Sequence, residues 1–459
     1  MSDQPLDPTP QTPPTRREFL QGAAAAGAVL GAPLFVPARV LGLGGETPAN
    51  SRINLAGIGI GPRGTFVLQR MLREKEVQFV AVCDVQKARR EAVKLMADKH
   101  HGGKDCATFR DFREMLEKHK GIDAVLIATG DRWHALASIL AMKAGKDVYS
   151  EKPSCMTVTE GQAVVAAAKK HKRVYQTGTQ RLSEANFTIA NELLRTGRLG
   201  KVHTVRAHIA PWDDAYMRRD HLPGQPEPDK ELVDWDLWLG PCPKRPYNAA
   251  YVKGGWRGHY DFHTSCIGEW GAHTFAQCQV ALGLVDASPV SYTYVNNRTG
   301  DGMVTTFANG VKMVLQREGW RGTCGVRYEG SEGWVAVADG YKAPEVSSKA
   351  LLADAEKLVR AYTERTGRPI VPGDGLDSKD PGHRMGHVRD FFDCVKSRKP
   401  TVANPEVMHR SMSTVHAANI CMWLKRDLRY DPKKEEFVDD AEANKYLSRT
   451  IREPWSLEG

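Results

Sequence analysis

Long apolar runs, clustered cysteines, clustered basic residues and internal repeats are all missing from this chain. Its most apolar continuous stretch, residues 22–36, is alanine-rich and fifteen residues long, whereas a membrane-spanning helix needs about 20 strongly apolar residues. No stable membrane span is therefore expected. Nine cysteines lie scattered with no C-x-x-C pair and no Cys/His cluster, which signals neither a zinc site nor a disulfide framework, so no metal is expected. The formal charge of +9 is spread along the chain without a run of five Lys/Arg. A nucleic-acid partner thus has no electrostatic footprint, and the mildly basic surface suits acidic sugars at most. The rest is ordinary for a globular protein: 41% hydrophobic and 26% charged residues over 459 positions, enough for a real core and about two to three domains.

Residues 1–50 read as a leader and linker rather than as part of the fold. A polar, proline-rich start is followed by Thr15-Arg16-Arg17-Glu18-Phe19-Leu20 and then by the mild apolar stretch. This combination resembles a twin-arginine export signal, which implies a bacterial periplasmic destination with the twin-arginine export machinery as a partner. No clean A-x-A cleavage site is visible, and a cut between Ala38 and Ala49 is the expectation.

The most informative stretch is 53–84. A strand-like run, Ile53-Asn54-Leu55-Ala56-Gly57-Ile58, enters the cluster Gly59-Ile60-Gly61-Pro62-Arg63-Gly64. A helix-compatible segment follows, and a second apolar run, 77–83, ends on Asp84, twenty residues after the last glycine. Strand, G-x-G-x-x-G turn, helix, strand and acid in this order make a dinucleotide-binding fingerprint. Gly59 permits the tight turn, Gly61 lets the backbone approach a pyrophosphate, and Gly64 allows close helix–strand packing at a helix N-terminus that attracts phosphate. Asp84 would accept hydrogen bonds from a ribose diol. That favours NAD over NADP, whose 2′-phosphate would meet the carboxylate, although Arg89 and Arg90 follow closely.

The alternation continues through strands at 122–129, 147–150 and 174–177, with helical stretches at 134–143 and 159–171. This predicts an α/β domain, a doubly wound parallel Rossmann sheet over 51–178, with ligands at the carboxyl ends of its strands. Beyond residue 180, a helix at 185–195 leads to strand-like runs at 202–209, 290–294, 303–307, 311–315 and 333–338. These alternate apolar and polar residues, as in a mostly antiparallel open sheet with one solvated face and helices on the other. The expected division is an α+β substrate and oligomerisation domain over 179–400, then a helical segment and extended tail over 401–459.

Three features stand where a substrate could meet a nicotinamide. Lys152 follows a strand end within Glu151-Lys152-Pro153 and can hydrogen-bond a hydroxyl that becomes an alkoxide; an ordinary surface lysine is the plain alternative. Glu269 and His273 are four apart and share a helix face. The imidazole suits general-base work, and a core histidine beside a solvated glutamate is the plain reading. The third is an aromatic section with Trp212, Trp235, Trp238, Tyr247, Tyr251, Trp256 and Tyr260. Such faces stack on sugar rings, but on aromatics alone packing between domains is the better explanation.

Taken together, Glu151-Lys152-Pro153, the loop Thr129-Gly130-Asp131-Arg132-Trp133-His134 and the Glu269-x-x-x-His273 pair resemble the glucose-fructose oxidoreductase/inositol dehydrogenase/rhizopine catabolism (Gfo/Idh/MocA) family. The segments 176–181, 234–241, 409–411 and 452–455 extend the likeness across 51–459 and are similar to an exported subgroup of planctomycete-like bacteria. The resemblance implies Lys152 as the catalytic lysine, His273 as acid/base and Glu269 beside them. It places Glu151, Lys152, Gln180 and the 129–134 loop, Thr129 and His134 included, at the cofactor, with Pro62 and Arg63 in the glycine turn. Two departures matter: the family usually has Asp at 269, and proline is usual where Gly130 stands.

The function expected is an NAD(P)-dependent oxidoreductase acting on the CH–OH group of a small sugar, sugar derivative or polyol, as a homodimer or homotetramer. Because the periplasm offers no nicotinamide pool, the cofactor is expected to stay bound and be regenerated in place. An NAD-dependent glycoside hydrolase or lyase, working by transient oxidation and elimination, is the alternative within the fold. A non-catalytic carbohydrate- or nucleotide-binding protein is the alternative from another class.

Overall fold

Strands rich in β-branched residues alternate with helices from residue 53 onward in the structure, a computed structural model that describes residues 47–209, 217–295, 301–316, 319–368 and 386–458. The chain divides into two units, Met1–Arg52 and Ile53–Gly459. Of the first, only a short turn at Ala49–Ser51 and its neighbours are described. The arginine pair of the export reading lies outside the described residues, as does Trp212.

The second unit begins with β1 (Ile53–Ile58), α1 (Pro62–Met71), β2 (Val77–Cys83), α2 (Lys87–His101), β3 (Ala107–Phe109), α3 (Phe112–Lys118), β4 (Ala124–Ile127), α4 (Asp131–Lys143), β5 (Asp147–Ser150), α5 (Val158–His171) and β6 (Tyr175–Thr177). Six parallel strands take the order β3-β2-β1-β4-β5-β6. β4 and β5 are buried at every position, as strands covered by helices on both faces must be. The order reverses between β1 and β4, which opens a crevice at their carboxyl ends. Local signals start the helices. Asp111 caps α3 by accepting from the Arg113 N–H. Thr157 caps α5 by accepting from the Glu160 N–H, while the Glu160 carboxylate accepts from the Met156 N–H, a reciprocal arrangement that satisfies two orphan donors.

The chain then forms α6 (Ala185–Arg195), β7 (Val202–His208), a short α7 (Trp235–Leu239), a long α8 (Ser265–Ala281), β8 (Ser291–Thr293), β9 (Asp301–Thr306), β10 (Lys312–Gln316), β11 (Val326–Gly330), β12 (Gly333–Val337), β13 (Glu345–Val346), α9 (Ala355–Thr366), α10 (Gly386–Ser397), α11 (Pro405–Leu424), β14 (Leu428–Asp431), β15 (Glu436–Phe437) and α12 (Ala441–Asn444). Among the described residues, nine strands run β13-β12-β11-β7-β10-β9-β8-β14-β15. Only β7 and β10 pair parallel within this sheet. Helices α8 and α11 pack on each other, and they meet the sheet at β7 and β8 respectively. The mixed, mostly antiparallel second sheet is thus as the alternating sequence predicted.

Two differences have clear causes. The sequence after residue 401 predicts helix and tail, yet 428–437 adds two strands at the sheet edge, because Leu428 and Tyr430 point inward from a run too short and charged to stand out. The segment read as ending the second domain finishes instead on α10, whose Val388, Phe391 and Phe392 complete the core of the Rossmann sheet beside Leu55, Phe79 and Tyr149. Their spacing of three and four residues makes one apolar helix face. The aromatic section is a small core of its own: Trp235 stacks on Trp238 at 4.7 Å, and Tyr251 and Phe262 close around them. Packing, rather than an open sugar platform, is its main use.

Candidate functional site

The glycine turn is shaped by what its missing side chains would hit. Gly59 has φ +68°, and a Cβ there would lie 2.3 Å from Thr129 Cγ2. A Cβ on Gly64 would lie 2.8 Å from that of Ala128, so α1 rests directly on the end of β4. Gly61 is the N-cap of α1 in extended conformation, Pro62 follows, and no side chain caps the helix. The first-turn N–H groups therefore face outward with the helix dipole behind them, as anion binding requires.

In front of this turn lies a cavity of about 420 Å³. Gly59, Gly61, Pro62, Arg63, Asp84 and Thr129, all expected at a cofactor, line it. The facing wall comes from the second domain, chiefly Leu237, Trp238 and Trp256. The far end is closed where 232–234 runs beside the exit of β2: Lys87 N–H donates to Leu232 O at 3.0 Å and Asp234 N–H to Val85 O at 3.1 Å. Asp84 is buried there, one carboxylate oxygen accepting from the Gln86 N–H at 2.8 Å. Burial raises its pKa to about 6, against the pull of that hydrogen bond and of the Arg89 and Arg90 charges. Arg110 also lines the cavity, but Glu231 at 2.5 Å and Asp234 at 3.5 Å hold its guanidinium.

A second group of polar side chains gathers beyond β5. Lys152 Nζ donates to the Glu269 carbonyl at 3.0 Å and lies 3.8 Å from its carboxylate. His263 Nε2 at 3.4 Å and Arg257 Nε at 3.7 Å approach the same carboxylate. Burial alone would raise Glu269, but the His263 hydrogen bond and the Lys152 and Arg257 charges outweigh it and hold the group at about 2. Glu269 is therefore an ionised anchor for Lys152.

One helical turn later, buried His273 meets Thr179 Oγ1 through Nδ1 at 3.0 Å and Arg181 Nη1 through Nε2 at 3.4 Å. Because the arginine can only donate, Nε2 is the acceptor and Nδ1 carries the proton. Burial, followed by the Arg181, Lys152 and Arg63 charges, pushes this imidazole well below its ordinary pKa. Arg181 is itself held by Asp339 at 3.0 and 2.5 Å. Neither Arg181 nor Asp339 was assigned a role from sequence; the two are 158 residues apart, and no local spacing marks them.

Glu151 and Gln180 complete the cluster. Glu151 Oε1 accepts from Gln180 Nε2 at 3.1 Å and lies 3.3 Å from Arg63 Nε, which ties the cluster to the glycine turn. Glu151 Oε2 and Gln180 Oε1 are buried acceptors without a partner among the described residues, suited to hydroxyl or amide donors of a ligand. His134, expected at the cofactor, does not line the cavity: its ring nitrogens sit 2.7 Å from Pro153 O and 3.2 Å from Thr129 O and staple the turns after β4 and β5 together. A glycine turn with no room for a Cβ at Gly59 or Gly64 and a buried carboxylate at the far end fit a dinucleotide. Glu151, Lys152 and Gln180, expected at the cofactor, do not line the cavity, and Glu151 reaches it through Arg63.

Residues 53–179 match the oxidoreductase family with an NAD-binding Rossmann fold, and residues 188–364 and 378–457 match that family's C-terminal alpha/beta domain. Inositol 2-dehydrogenase of Salmonella typhimurium is 28% identical over 146 residues, 31% of this chain and 42% of that protein. A glycosyl hydrolase family 109 protein of Stenotrophomonas maltophilia is 30% identical over 207 residues, 42% of this chain and 41% of its own length. The chain thus spans about two fifths of the curated relatives it matches. In fold it is similar to GenD2 from gentamicin A biosynthesis, solved in complex with NAD, at TM-score 0.56 and 17% identity over 84% of this chain and 98% of that one. Among the described residues no helix is long and apolar enough to cross a membrane. The Rossmann sheet, its cavity and these matches together establish that the chain belongs to the Gfo/Idh/MocA oxidoreductase family.

Proposed function

We propose that this protein is an NAD-dependent oxidoreductase acting on a CH–OH group of a sugar, sugar derivative or polyol. The observation that carries the reading is the meeting of Lys152, Glu269 and His273 beyond β5, joined through Arg63 and Glu151 to the glycine turn. Bound NAD supplies a two-electron hydride acceptor. Glu269 holds the Lys152 ammonium ready to donate to the substrate oxygen and stabilise its developing negative charge. His273, neutral with Nε2 as acceptor, takes the hydroxyl proton once the substrate displaces Arg181 from that nitrogen. NAD is preferred over NADP on this reading because Asp84 faces the cavity while carboxylates occupy Arg110.

The arginine pair at 16 and 17 supports export through the twin-arginine route, which carries folded proteins. We therefore propose that NAD travels with the protein to the periplasm and is regenerated there, one substrate being oxidised and another carbonyl compound reduced. Offering the purified protein a panel of sugars and polyols, and following absorbance of reduced nicotinamide, tests the chemistry. A true substrate gives a signal that Lys152→Ala lowers by at least about 100-fold while NAD affinity is kept. Unchanged products and substrate binding in Lys152→Ala would favour a non-catalytic binding protein. The glycosyl hydrolase family 109 relatives favour a second reading, sugar release by transient oxidation and elimination. Its mark is a free sugar liberated from an aryl glycoside without net NADH.

A further inference from the structure

Gly130 is not a glycine for conformational reasons. It is the N-cap of α4 at φ −80° and ψ 159°, a region open to any residue. What a side chain there would meet is the Arg132 guanidinium, since a Cβ would lie 2.4 Å from Arg132 Nη1. The guanidinium folds back over Gly130, donates from Nε to Trp238 O at 2.8 Å and lies 3.6 Å from the centre of the Trp238 ring. Both Gly130 and Arg132 line the dinucleotide cavity.

Arg132 is 4% exposed and its Nη1 has no hydrogen-bond partner among the described residues. The other buried arginines have carboxylates: Arg90 has Glu231, Arg181 has Asp339 and Arg245 has Asp261. Arg132 has none among the described residues. The neighbouring Asp131 accepts instead from the Thr264 N–H and hydroxyl. Cys242 and Asp131 favour the charged guanidinium from a distance, whereas Arg449, which donates to the Arg132 carbonyl at 3.0 Å, repels it. Burial lowers Arg132 to about 10, which leaves it charged at neutral pH. A buried cation without a direct ion pair is costly, and the more distant Asp131 charge and stacking on Trp238 offset only part of that cost.

We infer that Arg132 Nη1 donates to an acceptor oxygen of the bound dinucleotide, and that residue 130 is glycine to leave the guanidinium room. This rests on the cavity being the dinucleotide site. The acceptor is a pyrophosphate oxygen or the nicotinamide carboxamide oxygen, and ADP-ribose, which lacks nicotinamide, tells them apart.

The test is calorimetric titration of nucleotide-stripped protein with NAD and with ADP-ribose, for wild type, Arg132→Met, Gly130→Ala and the double variant. Ligand-free thermal melting runs beside it. Loss of a charged hydrogen bond weakens NAD binding by about 10- to 100-fold in Arg132→Met. Gly130→Ala, which displaces the guanidinium without removing it, should lower affinity with an unchanged ligand-free Tm. The double variant should be no worse than the poorer single, because both act through one contact. An equal loss toward ADP-ribose assigns the pyrophosphate, and an intact ADP-ribose affinity assigns the carboxamide. NAD affinity within about twofold of wild type in both single variants, or a loss matched by a fall in ligand-free Tm, overturns the inference. Failure of the wild type to bind NAD would instead remove the cofactor reading on which it stands.

Discussion

A carboxylate at the end of a buried strand is costly to ionise until a ligand donates to it. Asp84 is in that position, pushed up to about 6 by burial, and a diol donating to it would stabilise the charged form. NAD binding therefore expels a proton wherever Asp84 is still protonated. Affinity should hold its full value above about pH 6 and fall by up to about tenfold per unit as pH drops below it. Dissociation constants measured between about pH 5 and 8 check this, and Asp84→Asn should abolish the trend. His273 gives a second pH signature. On the proposed reading its imidazole is the neutral base, and its pKa is pushed below its ordinary value first by burial and then by Arg181. The acid limb of kcat/KM should thus lie below about pH 6.5. Removing one cation with Arg181→Met should move it upward, and an unmoved limb would mean that His273 is not the titrating base. Gly59, Gly61 and Asp84 were legible in the sequence because turn, helix and acid follow one another within a single strand–helix–strand unit. Arg181 with Asp339 was not, because only the folded chain brings them together. Nor was the bracing role of His134, which depends on two carbonyl groups in separate turns.

At the scale of elements, local period decided what could be read. β1, β2 and β4 announce themselves by apolar runs ended by turn residues. β14 and β15 are four and two residues long, too short for a periodic signal, and the sheet edge defines them. The tail after α12 matters more than its extended sequence suggested. Arg452 donates to Gly240 O at 3.0 Å and to the Asp236 carboxylate and carbonyl at 2.8 and 3.1 Å, gripping the first turn of α7 and its C-cap. Trp455 is buried edge-on against Trp133 at 4.8 Å, and the Trp133 indole N–H donates to Leu237 O at 3.1 Å. Since Leu237, Trp238 and Trp133 line the cavity, this tail fixes its wall. Arg452→Ala should cost about 1–3 kcal/mol in urea unfolding and should speed nucleotide exchange. Unchanged exchange in a destabilised variant would confine the tail to a structural role.

Across the whole molecule, the dinucleotide cavity is bounded by both domains. Backbone hydrogen bonds join the exit of β2 to 232–234 at one end. The tail ties α7 to α4 at the cavity wall, and the Lys152–Glu269 contact bridges the domains beyond β5, where the proposed chemistry lies. The glycine turn alone predicted a nucleotide; closure by the second domain could not be read locally, since it depends on partners more than a hundred residues away. Such enclosure suits a cofactor that stays with the protein through many turnovers, and this is the account's central claim. The most direct measurement is the nucleotide content of protein purified from a host with an intact twin-arginine system, followed by the rate at which added labelled NAD replaces it. The account predicts stoichiometric NAD that survives desalting and exchanges more slowly than turnover. An empty site that fills and empties rapidly with added NAD would contradict it.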